Sequence, residues 1–119
     1  MAIGMALAGY IPVSCYPRFD FLILAANQLV NHLDKIDYLT NSNFDSKIII
    51  RTMVGSTYPL NAGLQHTQDH TVALKELMKF SEVIKLKNKN QIFLKYKNAI
   101  SKKNKKKVFL FIEDGNKYV

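Results

Sequence analysis

Apolar residues recur along this chain with two periods, and the periods mark its elements. Leu22, Ala25, Ala26, Leu29, Val30, Leu33 and Ile36 follow the i, i+3, i+4, i+7 spacing of a helix that packs one face inward, predicting a helix from Phe19 to about Leu39. Asp20 is its expected N-cap. Asn27, Gln28 and Asn31 interrupt the stripe and predict a packed interface that satisfies their amides. The successive Ile48, Ile49 and Ile50 mark Lys47–Met53 as a strand buried on both faces, the signature of a parallel sheet. Shorter runs predict strands at Ile11–Tyr16, with Pro12 at its start, at Glu82–Leu86 and at Lys107–Ile112. Helices are expected over 2–8, ended by Gly9, over Gln68–Lys79 with Val72, Ala73, Leu77 and Phe80 on one side, and over Gln91–Ile100. Thr40–Ser46 and Gly55–Gly63 read as loops, and Glu113-Asp114-Gly115-Asn116 as a closing turn. Helices and strands alternate throughout. That order predicts an α/β fold, a parallel sheet with flanking helices and right-handed crossovers.

A chain of 119 residues suffices for one small domain with its own core. The formal charge of +8 is uneven: residues 1–74 are near neutral, and the excess is lysine after Leu74, concentrated in Ser101–Lys107, SKKNKKK. Such a patch can neutralise phosphates. The aromatics beside it, Phe93, Tyr96, Phe109 and Phe111, fall at core-like positions, so a solvated loop with no nucleic-acid partner is expected. The single cysteine, Cys15, permits no internal disulfide and fits a reducing compartment. Apolar runs are far short of the roughly 20 residues that span a bilayer. The N-terminus lacks the basic segment of a secretion signal, so no membrane association and a cytoplasmic location are expected.

Two places carry candidate chemistry. Tyr16, Phe19 and Phe21 crowd the corner between the first strand and the long helix, at the carboxyl end of a strand, where parallel sheets bind ligands. Read by themselves, aromatics beside an amphipathic helix are usually core. His66 lies in GLQHTQDH after a glycine-bearing loop, a setting in which a histidine is most often ordinary surface. His32 and His70 read as structural or solvated.

Residues 2–31, with Gly4, Ala6, Gly9, Pro12, Val13, Phe19, Phe21, Gln28, Val30 and Asn31, resemble the pyrimidine-binding domain of thiamine-diphosphate enzymes. The nearest likeness is to the beta subunit of the decarboxylating component of 2-oxo acid dehydrogenases. Arg51, Gly55, Gln65, His66 and Gln68 continue it in order and spacing. The resemblance implies a partial transketolase-like domain over 1–119, lacking the family's N-terminal strand and helix and its C-terminal domain. It implies oxidative decarboxylation with acyl transfer to a lipoyl carrier, by a chain inactive on its own. It further implies that Phe21 packs against the aminopyrimidine ring of thiamine diphosphate, that Phe19 and Tyr16 shape the pocket, and that His66 acts near the reactive carbon. An imidazole suits that last task because it exchanges a proton near neutral pH.

Several departures accompany the resemblance. The family's activating glutamate lies upstream of the motif at which this chain begins, Cys15 replaces an acidic residue, and the turn after Arg51 lacks proline. No phosphate-binding loop is present. The resemblance assigns the magnesium-diphosphate half of the cofactor site to an alpha-like partner in a hetero-oligomer. The alternatives are another transketolase-like enzyme, such as transketolase or deoxyxylulose-phosphate synthase, and a non-catalytic subunit-interaction module. Gln65-His66-Thr67-Gln68 favours the dehydrogenase branch.

Overall fold

The apolar runs pair with one another as four parallel strands in the computed structural model, which describes residues 1–55 and 57–117. The strands are β1 (Val13–Tyr16), β2 (Ile48–Val54), β3 (Glu82–Lys85) and β4 (Val108–Asp114), in the order β1-β2-β4-β3. The registers Val13↔Ile49, Ile49↔Phe109 and Val83↔Leu110 fix which side chains share a face. Ile48, Ile50, Val54, Leu110 and Ile112 enter the larger core with Phe19, Leu22, Leu33, Leu74 and Met78. Ile49, Phe109 and Phe111 point the other way, onto Ala99, Ile92 and Tyr96 of helix α5 (Lys89–Ile100). β2 and β4 are therefore covered on both faces, which is why their sequences are almost uninterruptedly apolar.

Helix α1 (Ala2–Leu7) ends in a paired hydrogen-bond lock: Gly9 N–H donates to Ala6 and Tyr10 N–H to Met5, with Gly9 at φ +90°. That conformation favours glycine, as the sequence predicts. The long helix is broken. It runs as α2 (Phe19–Leu22), a 3-10 turn (Ile23–Ala25), a π-helical stretch (Gln28–Leu33) and α3 (Ile36–Leu39). The predicted stripe survives, since Leu22, Leu29, Leu33 and Ile36 are all buried. The wider π turn, closed by Asp34 N–H to the Leu29 carbonyl (2.9 Å), brings Asp34 inward as well. The Asp34 carboxylate then accepts from Lys79, Phe80 and Ser81 N–H and from Ser81 Oγ at 2.8–3.1 Å. This grip ties the long helix to the start of β3.

Four local expectations are corrected. Asp20 is not the cap: Arg18, still extended after Pro17, holds that place, and Asp20 lies in the first turn. Asn27, Gln28 and Asn31 are exposed, with Asn31 Nδ2 donating to Asn27 Oδ1 (2.8 Å). α4 spans Thr71–Leu77 and buries Thr71 and Leu74, with Met78 after it, whereas Val72, Ala73, Leu77 and Phe80 are exposed. Just before the helix, the Asp69 carboxylate accepts from Thr71 N–H (2.9 Å) and Oγ1 (2.5 Å), which favours a start at Thr71 with that residue turned inward. Finally, Glu113 and Asp114 extend β4 instead of turning. Glu113 is buried and takes a forked ion pair from Arg51, Nε at 3.0 Å from both carboxylate oxygens. Burial and that carboxylate push the neighbouring Tyr96 hydroxyl well above its usual pKa. Of the aromatics expected in the core, Phe109 and Phe111 are buried, Tyr96 is half-buried and Phe93 is exposed.

Candidate functional site

Because all four strands are parallel, the segments after β1, β2 and β4 gather along one edge of the sheet. The first turn of α2 meets the segment 63–70 there. Arg18 ties the two together, its guanidinium donating to the Gly55 carbonyl and, at 3.4 Å, to that of His66. Gly55 has φ +71°, and a Cβ on it would stand 3.0 Å from Asn116 Nδ2, so both conformation and space favour glycine. His66 ends a 3-10 turn (Leu64–His66) that starts at Gly63, also at positive φ.

The two motifs singled out in the sequence touch. The Phe21 and His66 rings lie 5.2 Å apart between centroids, inclined at 52°. Phe21 is 42% exposed, and so presents an accessible aromatic face. Phe19 is fully buried and meets His70 edge-on at 5.4 Å, while Tyr16, at the last position of β1, packs half-buried on the larger core. These two residues support the corner from beneath.

Three residues at this corner were not singled out as site residues: Arg18, Asp20 and His70. Asp20 Oδ1 accepts from Gln68 Nε2 (2.9 Å) and stands 3.6 Å from His70 Nε2. No local sequence signal announces this, because the partners are about fifty residues apart and meet only through the parallel crossover. Four side-chain atoms are buried without a partner among the described residues, and two of them, Asp20 Oδ2 and His66 Nδ1, belong to this corner. Polar atoms in that state have a need that a bound group can meet. Among the described residues no three His, Cys, Asp or Glu side chains cluster to hold a metal ion. No described helix is long and apolar enough to cross a membrane.

The larger clefts open on the opposite edge, and neither Phe21 nor His66 lines them. The carboxyl-edge corner brings together an accessible Phe21 ring, the His66 ring packed on it and two buried polar atoms without a partner among the described residues.

No protein-family model matches the chain. Curated proteins do. Pyruvate dehydrogenase E1 component subunit beta of Staurastrum punctulatum is 38% identical over 68 residues, and the subunits of Cyanidium caldarium and Chaetosphaeridium globosum are 35% and 37% identical over the same length. The matched region is 57% of this chain and 20% of each relative, so the likeness spans about a fifth of the relatives' length. The all-parallel sheet with helices on its faces is an α/β architecture, consistent with a transketolase-like domain. Over those 68 residues the chain is similar to the beta subunit of pyruvate dehydrogenase E1.

Proposed function

We propose that residues 1–119 form a partial pyrimidine-binding domain that contributes the ring-holding half of a thiamine-diphosphate site in a cytoplasmic 2-oxo acid dehydrogenase. An alpha-like partner contributes the magnesium-diphosphate half. The observation that carries this reading is the contact between Phe21 and His66, which joins two separate motifs at the carboxyl edge of a parallel sheet. The residues fit the pyrimidine end of the cofactor. Phe21 offers an accessible ring, worth about 0.5–1.5 kcal/mol to a stacked heterocycle beyond burial. Asp20 Oδ2 offers a polar atom with no other partner among the described residues.

Bound thiamine diphosphate would supply the carbon that takes up the 2-oxo acid and the electron sink for loss of carbon dioxide. The chain's own part is narrower. Phe21 orients the ring, with Phe19 and Tyr16 holding the corner rigid. Arg18 fixes the backbone of His66, and the His66 imidazole holds or releases a proton beside the substrate. Acyl transfer to a lipoyl carrier completes the cycle in the assembled enzyme.

The test mixes the purified chain with a pyruvate dehydrogenase E1 alpha subunit, magnesium and thiamine diphosphate. Association is followed by size-exclusion chromatography and cofactor binding by calorimetry. A mixed oligomer is expected whose cofactor affinity falls about ten-fold in Phe21→Ala, on the order of 1.4 kcal/mol, and changes little in His66→Ala. Failure to associate, or identical affinity in Phe21→Ala, overturns the reading.

A further inference from the structure

The amino edge of the sheet carries two neighbouring clefts of about 430 and 520 Å³ that share Asp37, Ser42, Asn104, Lys105 and Lys107 as walls. Both volumes lie within the roughly 300–1,000 Å³ typical of small-molecule sites. Leu33, Ile36 and Val108 give the smaller cleft an apolar floor, and Tyr38 (82% exposed) and Phe80 (63% exposed) also line it.

The lysine loop beside these clefts is exposed, with Lys102, Lys103, Lys105 and Lys106 open to solvent, yet hydrogen bonds hold its backbone in place. Asn104 organises it: its N–H donates to the Ser101 carbonyl (3.1 Å), its Nδ2 to Asn98 Oδ1 (3.0 Å), and its Oδ1 accepts from Lys106 N–H (2.9 Å). Lys47 Nζ donates to the Asn104 carbonyl and to that of Lys106 (2.5 Å), and Lys106 Nζ to the Phe80 carbonyl (2.7 Å). Like charges are thereby confined together. Burial first, then Lys107, hold the Lys47 amine below its usual pKa in spite of Asp45.

Acidic groups of the chain offset the cleft lysines only in part: three carboxylates, Asp34, Asp37 and Asp45, face six lysines, Lys35, Lys47, Lys102, Lys105, Lys106 and Lys107, among the cleft walls. The Asp34 carboxylate is committed to the 79–81 backbone and Lys35. Asp45 reaches Lys107 only at 3.8 Å. The side-chain amines of Lys102 and Lys105, which line the clefts, have no hydrogen bond or ion pair among the described residues. Asp37, a wall of both clefts, has a buried Oδ1 without a donor.

We propose that this amino-edge cleft binds an organic polyphosphate, a small molecule with an aromatic body and at least two phosphates. The body lies on Leu33, Ile36, Tyr38 and Phe80; the phosphates meet Lys102 and Lys105; and Asp37 accepts from a hydroxyl or amino group of the body. This site is distinct from the Phe21–His66 corner and stands or falls independently of it. Short, walled clefts suit a compact ligand better than the continuous basic track that a nucleic-acid strand needs.

The experiment titrates the full chain with ATP as the probe, following backbone amide shifts by NMR and affinity by calorimetry. ATP is expected to bind with shifts centred on 36–42, 80–81 and 101–107, and to weaken several-fold between about 50 and 200 mM salt. Adenosine and tripolyphosphate should each bind at least ten-fold more weakly than ATP, because each keeps only half of the contacts. The double variant Lys102→Gln/Lys105→Gln, with both changes in the exposed loop, should keep the unfolding midpoint and lose at least ten-fold in affinity. Phe80→Ala should weaken ATP and leave tripolyphosphate unchanged. Absence of ATP binding, tripolyphosphate as tight as ATP, or an oligonucleotide much tighter than ATP at equal phosphate concentration would each overturn the proposal.

Discussion

The two edges of the sheet solve different problems with different residues. At the carboxyl edge the chain brings aromatic rings together, Phe19 with His70 and Phe21 with His66, and Arg18 bonds to main-chain carbonyls. At the amino edge it confines ammonium groups around two clefts and holds them with main-chain carbonyls and one asparagine. The contrast shows how one parallel sheet can carry two unlike surfaces. The carboxyl edge offers stacking and unpartnered polar atoms, suited to a flat, weakly charged ring. The amino edge offers a concentrated positive field, suited to an anion. Neither property follows from the chain's net charge.

The comparison breaks most visibly if its aromatic corner is taken apart. Phe19→Ala should cost about 3–5 kcal/mol in urea unfolding, since a fully buried ring leaves a cavity. Phe21→Ala, starting from a half-open ring, should cost less than about 1 kcal/mol. Equal losses would make Phe21 a core residue and remove the accessible face from the carboxyl edge.

Next in size, Asp34→Ala strips four acceptor contacts from the loop that supports the amino-edge cleft. A loss of about 2–3 kcal/mol is expected, with faster hydrogen exchange at Lys79, Phe80 and Ser81. Unchanged protection of those amides would mean that the carboxylate does not hold the wall. Arg18→Gln should cost about 1–2 kcal/mol and loosen the opposite edge alone, seen as faster exchange of the His66 amide, which bonds to Gly63. If the amino edge loosened with it, the two surfaces would not be independent.

The smallest effect concerns pH. Burial pulls the Asp69 carboxyl up, but bonds from Thr71 and Lys85 outweigh it and hold the group below its ordinary 3.8. A depressed folded-state value means that Asp69 supports folding above 3.8 and that this support fades as pH falls through the folded-state value. Asp69 is more than a third exposed, so solvent screening limits the gain to less than about 1 kcal/mol. Thermal unfolding of Asp69→Asn should differ from the parent at pH 6 and converge with it towards about pH 2. A gap that persists in acid would show that the residue's effect does not depend on its charge.

Much of the architecture was legible in the chain's local pattern. Period two against period three to four separated strands from helices, and the isoleucine run marked β2 as doubly covered, because burial on one or both faces imprints itself on neighbouring residues. The aromatic corner and His66 were legible as two motifs, through resemblance. Their contact was not, since 45 positions separate them along the chain and only the crossover from β1 to β2 closes that distance. Where a side-chain partner outbid local preference, the expectation shifted: Asp34 accompanies the π turn, Asp69 favours a start of α4 at Thr71, and Arg51 keeps Glu113 in β4. The same holds at the amino edge. Composition announced the lysines, but only hydrogen bonds from Lys47 and Asn104 decided that they stand together around a cleft. Local sequence encodes which faces avoid water; which charges and rings meet depends on chain segments that folding alone brings within a few ångströms.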